Sequence, residues 1–266
     1  MKEKQEIKTK EIEALPDEYA EKPEEILDEK ELKELEELEK KGTLPKRELD
    51  KRMNLESWEP KTKLGQEVKD KKIKTIDEFL DKGKKILEPE IVDSLAELKT
   101  DLISIGQAKG KFGGGKRRAW RQTQRKTEEG NVLKFSALAV VGDKNGHIGI
   151  GWGSSNETLP ARDKALRKAK LNIFKITRGC AAFDCACSEK HTIPFKVCGK
   201  AGSVGVELIP APQGTGLVVA CELKKILSIA GIKDVYSRTS GKTKTTFNLV
   251  KACIEALKKT NARNKK

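Results

Sequence analysis

Three groupings in this chain of 266 residues have the residue types and spacing to do chemistry. Cys180, Cys185, Cys187 and His191 fall as Cys-x4-Cys-x-Cys-x3-His, with Cys198 close behind. Thiols and an imidazole in so short a stretch are the donors of a tetrahedral zinc site, which would make zinc the one candidate cofactor. The spacing departs from the Cys-x2-Cys knuckle and no second cluster follows, so reduced structural thiols, in a reducing compartment, stay open as the other reading. The second grouping is Gly110-Lys111-Phe112-Gly113-Gly114-Gly115-Lys116-Arg117, which nearly spells a nucleotide-binding loop. Arg117 stands where a hydroxyl must hold Mg²⁺, which argues against nucleotide hydrolysis. The loop belongs instead to a run holding Lys109, Lys111, Lys116, Arg117, Arg118, Arg121, Arg125 and Lys126 with no acid among them. Guanidinium forks and flexible backbone amides both reach phosphate oxygens, so this run suits an irregular polyanion. The third is Gly214-Thr215-Gly216, which reads either as an anion cradle or as a tight turn.

Acid–base or nucleophilic catalysis has no home here. His147 and His191 are the only histidines, the first in a hairpin turn where solvent should reach it, and neither Gly-x-Ser-x-Gly nor His-Glu-x-x-His occurs. The acids concentrate at the N-terminus: residues 1–42 carry nine Lys against sixteen Asp or Glu, net −7, which leaves +21 of the overall +14 for the rest. Such a body attracts nucleic acid. Aromatics are only 5%, so phosphate and shape reading of structured RNA fits better than base stacking. No run reaches the roughly 18 apolar residues of a membrane span and no signal segment opens the chain, so a cytosolic protein is expected.

These groups need elements to position them. Residues 24–41 predict an exposed Glu/Lys helix within an acidic extension, 1–42, and residues 43–97 read as a mixed extension lying on a partner. Val132–Val141 predicts a strand, Asp143-Lys144-Asn145-Gly146 a turn, and 147–152 a returning strand, with another strand near 121–127. Pro160 opens a helix whose Ala161, Ala165, Ala169 and Ile173 recur at i, i+4, small enough for close approach to a sheet, while Arg162, Arg167, Lys168 and Lys170 lie on its remaining surface. Further on, 193–197 and 203–209 predict strands, 217–230 a helix capped by Gly231, 235–238 a short strand, and 245–259 a helix with Phe247, Val250, Ile254 and Leu257 on one side.

The string from Phe135 to Gly153, FSALAVVGDKNGHIGIGWG, with Ile209-Pro210-Ala211-Pro212-Gln213-Gly214-Thr215-Gly216-Leu217 and Ala230-Gly231-Ile232-Lys233-Asp234-Val235, resembles the small-subunit ribosomal protein S-five family over about residues 98–257. The cysteine-rich stretch before His191-Thr192-Ile193-Pro194-Phe195 resembles its archaeal branch. The resemblance implies an α+β fold: a double-stranded-RNA-binding-like domain over 98–177, the cysteine insert over 178–192, and a small β-α S-five domain with a left-handed crossover over 193–266. It implies that Lys109 to Lys126 and the turn at Lys144, Asn145 and His147 face ribosomal RNA, and the basic helix with Arg162, Arg167 and Lys168 is expected to join them. It further implies contact with protein S-four and other small-subunit proteins, a place near the mRNA entrance, an influence on decoding accuracy, no required cofactor and no membrane.

Overall fold

The computed structural model describes residues 58–73, 75–81, 83, 85–108, 117–180, 185, 187 and 189–262. Lys109, Lys111 and Lys116, the glycine loop between them and the expected acidic helix within 1–42 lie outside these residues. In chain order the elements are α1 (Lys63–Lys69), α2 (Ile76–Asp81), α3 (Glu90–Leu95), β1 (Lys99–Leu102), β2 (Trp120–Thr127), β3 (Gly130–Gly142), β4 (His147–Ser155), α4 (Thr158–Leu171), β5 (Ile173–Lys175), β6 (Val197–Ala201), β7 (Val204–Pro210), β8 (Leu217–Val218), α5 (Cys221–Ala230), β9 (Val235–Ser240) and α6 (Thr246–Ala262).

The two faces of β3 are written in its alternation. Ala137, Ala139 and Val141 point to one face and Leu138 and Val140 to the other, as a period of two requires. The first set meets Ala165 and Ala169 of α4 in a seam of small side chains. Gly149, Gly151 and Gly153 of β4 bring the helix still closer: a Cβ at Gly151 would lie 2.2 Å from both the Ala165 carbonyl oxygen and the Ala169 nitrogen. Helix backbone therefore rests directly on sheet backbone. The second set joins Ile103 and Ile148 in a core shared with Leu223, Ile226 and Leu227 of α5, Val206 and Leu208 of β7 and Leu257 of α6. Both halves of the fold thus bury the same apolar residues.

β1 and β2 lie end to end along one edge of β3, opposite β4: β2 pairs with residues 130–137 and β1 with 139–142. The chain between them returns through the Ala108–Arg117 bridge and the Gly106 N–H donating to the Arg118 carbonyl at 2.9 Å. Beyond Phe135, where pairing with β4 ends, the β2–β3 pair runs on through residues 130–134 as a two-stranded ribbon exposed on both faces. The second sheet has the order β6-β7-β9-β8, antiparallel except for β8 on β9. Its α6 seam repeats the device of the first: a Cβ at Gly199 would lie 2.0 Å from the Ala252 carbonyl oxygen.

Residues 58–97, expected as an extension lying on a partner, instead fold on the chain itself. Val68, Ile76, Phe79, Ile91 and Val92 of α1 to α3 close over Ile173 of β5 in a separate small core. Glu88 fastens its start, accepting from the Trp58 indole N–H at 3.0 Å and from the Lys61 and Thr62 amides. Ile173, expected on the helix with Ala161, Ala165 and Ala169, instead begins β5, because α4 ends at Leu171. Two further element boundaries also differ from expectation. The strand expected over 193–197 begins only at Val197, because Pro194 has no N–H for a ladder and Thr192 is already bridged to Gly179. The helix expected over 217–230 yields its first residues to β8, whose Leu217 and Val218 pair with β9.

Candidate functional site

The expected RNA contacts do not form one patch. β3 separates them: Arg125, opposite Val132, and Arg121, opposite Ser136, lie roughly 34 and 20 Å along the strand from Gly142, where the turn holding Lys144 and Asn145 begins, at about 3.4 Å per residue. On the ribbon, residues directly opposite share a face, so Arg121, Thr123 and Arg125 stand with Lys134 and Val132 on one side. Arg121, Arg125 and Lys126 are all exposed, and among the described residues neither Arg121 nor Arg125 has an ion-pair partner. Lys126 points to the opposite face with Trp120, Gln122, Gln124 and Leu133, where Trp120 is 40% exposed. Lys134, which sequence reasoning passed over, completes a three-cation flank; the register, not the composition, reveals it.

Arg117 and Arg118 stand where the loop rejoins the fold. Arg117 lies 3.7 Å from Glu222 on α5, so part of its charge is already balanced within the chain. On α4, Arg167 and Lys168 are exposed and Arg162 is half-buried beside Thr100 and Leu102. Lys168 sits 5.9 Å over the Trp152 ring. Lys144 and Asn145 are exposed, but the Lys144 backbone is committed: its N–H donates to the Ile229 carbonyl and its carbonyl accepts from Arg178 at 3.0 Å.

His147 corrects the expectation of a solvated side chain. It is only 9% exposed, with Nδ1 2.6 Å from Asp143 and Nε2 3.0 Å from Asp77 of α2. Asp143 turns the chain back, accepting the Asn145 and His147 amides, and that places its second oxygen on the imidazole. Lys175 joins Asp77 at 2.8 Å, so the cluster ties the helical layer to the β3–β4 turn. The hydrogen bond to Asp143 raises the His147 pKa above its usual 6.5, against burial, with Asp77 adding to the rise. Burial pushes Asp77 and Asp143 up, but the hydrogen bonds from Lys175 and His147 on the first, and from His147 and Asn145 on the second, leave both below the usual 3.8.

The pH dependence has a definite sign. His147 contributes stability that is complete below its unfolded pKa near 6.5 and is lost as pH rises through the folded value; the two carboxylates contribute above 3.8 and lose it as pH falls through theirs. Thermal melts from about pH 6 to about pH 9 should show the wild-type Tm falling toward that of His147→Asn. Parallel curves would show that folding does not raise the His147 pKa.

The cysteine cluster does assemble. The donor atoms of Cys180, Cys185, Cys187 and His191 all lie within 4.8 Å of one another and could hold a metal ion. Cys185 Sγ is 2.9 Å from Cys187 Sγ and 3.5 Å from His191 Nε2, and Cys187 Sγ is 3.5 Å from Cys180 Sγ. Hydrogen bonding between the two thiols draws Cys185 down to about 6 and pushes Cys187 up, so one thiolate is favoured at the other's expense. Cys198 is exposed on β6 and no member of the group. Of the two readings of Gly214-Thr215-Gly216, the tight turn holds: Gly214 and Gly216 have φ of +89° and +72°, and the Gly216 N–H donates to Asp234 at 2.8 Å rather than facing a ligand.

Family models match the chain twice and in order, as "Ribosomal protein S5, N-terminal domain" over residues 119–177 and "Ribosomal protein S5, C-terminal domain" over 199–265. Small ribosomal subunit protein uS5 of Nanoarchaeum equitans is 50% identical over 175 residues, covering 65% of this chain and 75% of that relative. Its counterparts in Thermofilum pendens and Methanospirillum hungatei are 47% and 45% identical over 176 and 180 residues, covering 66% and 67% of this chain and 80% of each relative. The chain belongs to the ribosomal protein S5 family. Its relatives make it an archaeal-type member, as the cysteine stretch implied. The S5 N-terminal match takes in the basic ribbon, β4, α4 and β5, and the S5 C-terminal match all but the first two residues of the second sheet with α5 and α6. The cysteine cluster falls between the two matched stretches, and the helical layer precedes both.

Proposed function

We propose that this S5-family chain is a structural constituent of the small ribosomal subunit in the cytoplasm, holding ribosomal RNA by electrostatics and performing no catalytic step. The observation that carries the RNA reading is the ribbon. An exposed antiparallel arm, with Arg125 and Lys134 along one flank and Arg121 at its base on the same side, offers three cations that have no ion-pair partner among the described residues. The basic run from Lys109 to Lys126 extends the same field, and Arg167 and Lys168 on α4 supply a second phosphate surface on the sheet's other side.

Family membership supports the finer parts of this reading: contact with protein S-four, a place near the mRNA entrance, and a bias on decoding through the relative energies of subunit conformations. The domain limits that go with it are an S-five N-terminal domain over 98–177 and a C-terminal domain over 193–266, joined by the cysteine insert. Zinc is the ion whose chemistry suits Cys180, Cys185, Cys187 and His191, in a structural and not a reactive capacity. Sedimentation of the chain with intact small subunits tests the whole reading.

A further inference from the structure

His191 is the centre of a chain of contacts that crosses from the cysteine stretch into the second sheet. Its side chain is wholly buried, with Nε2 facing Cys185 and Nδ1 2.8 Å from Asp234 Oδ2. Asp234 is itself 3% exposed, and its second oxygen accepts the Gly216 N–H at 2.8 Å. The His191 carbonyl accepts from the Lys233 and Asp234 amides, so the two segments are tied by main chain as well. One amide of the 210–216 loop, that of Gly216, therefore ends on the carboxylate that orients the cluster.

We infer that a zinc ion in this cluster is the pin of the 210–216 loop, with Asp234 as the positioning residue that aims His191 at the ion. This rests on zinc as the occupant proposed above. A carboxylate on Nδ1 fixes the tautomer with its proton there, which leaves the Nε2 lone pair free and more basic for a metal. The partners around Nε2 are thiols, which are weak donors and poor satisfaction for a buried imidazole. With Zn–S near 2.3 Å and Zn–N near 2.0 Å, a tetrahedral site has edges of about 3.8 Å between sulfurs and about 3.5 Å from sulfur to nitrogen. The 3.5 Å separations of Cys187 from Cys180 and of Cys185 from His191 already approach those edges. The ion would take all three cysteines as thiolates, and the protons still on them would pass to solvent. Loss of the ion would free His191, then Asp234, and with them the Gly216 amide.

The test uses the full chain, purified in reductant and compared before and after chelation. One zinc per chain is expected, and Co²⁺ substitution should give the visible spectrum of a tetrahedral thiolate site. Asp234→Asn should keep that spectrum while weakening zinc binding about 10- to 100-fold. In the wild-type chain, chelation should speed hydrogen exchange at Gly216 and leave the α6 amides unchanged, a comparison that needs no variant to fold. A reduced chain that takes up no zinc, or one isolated with Cys185 and Cys187 oxidised to a disulfide, would overturn the zinc reading itself. Zinc held at full affinity by Asp234→Asn, or exchange at Gly216 indifferent to chelation, would leave zinc in place and overturn the pin.

Discussion

Replacing Arg121 and Arg125 by Ala should weaken association with small-subunit RNA about 60-fold at roughly 0.1 M salt and lower the slope of log K against log salt by about 1.8. Each phosphate contact on a duplex contributes about 0.9 to that slope, and the counterions released by two contacts are worth about 8-fold each at this concentration. The two arginines are chosen because the ribbon leaves them exposed and, among the described residues, without an ion-pair partner, whereas Arg117 shares its charge with Glu222. Arg117→Ala alone should therefore change the slope by less than one contact. Filter binding to small-subunit RNA over a series of salt concentrations checks both. An unchanged slope in the double variant would show that this flank of the ribbon faces something other than phosphate.

Gly151→Ala should destabilise the chain by about 3 kcal/mol or more, at or beyond the upper end of what overpacking costs, because nothing near the new methyl group can move aside. The obstructing atoms are backbone: the Ala165 oxygen and Ala169 nitrogen at 2.2 Å and the Lys168 carbonyl carbon at 2.7 Å. Helix α4 would have to rise off the sheet along the whole seam of Gly149, Gly151 and Gly153. At about 2–4 °C per kcal/mol for a chain of this size, the Tm should fall by roughly 6–12 °C. Gly214→Ala is the contrast, since a Cβ there meets nothing within 4 Å and only the positive φ is disfavoured. Melts in which the two variants fall equally would show that the close helix–sheet approach is not what holds this layer.

The same seam shows what the sequence made legible. Alternation at Ala137, Ala139 and Val141, the i, i+4 alanines of α4 and the spaced glycines of β4 are short-range signals, and each reports a contact made by its own segment. The hairpin turn, the C-cap at Gly231 with φ of +80° and the apolar side of α6 were legible for the same reason. The helical layer over 58–97 was not. Its apolar residues are sparse in a charged stretch, and their core exists only once Ile173, some eighty residues later, is placed beneath them. His147 was misread because the turn's composition says exposed while the Asp143 fold-back and a distant Asp77 say buried.

The cluster was legible as donor types but not as a linkage. Cys180 to His191 is one short segment, so its ligand chemistry can be read directly. Asp234 lies 43 residues from His191, and the bonds from the Lys233 and Asp234 amides to the His191 carbonyl bring them together. The ribbon divides in the same way: its basic residues are countable from the chain, but which of them share a face depends on the register, which places Lys134 beside Thr123 between the two arginines.

The central claim, that the chain is a standing part of the small ribosomal subunit, is tested most directly by sucrose-gradient fractionation of a native lysate with quantitative detection of this protein, before and after a high-salt wash. Co-migration with small subunits at about one copy each, surviving the wash, is the expected result, because many phosphate contacts made together with protein neighbours resist salt better than a lone basic arm. A pool that sediments mainly free, or that the wash strips away, would contradict the claim and mark the chain as a transient RNA binder.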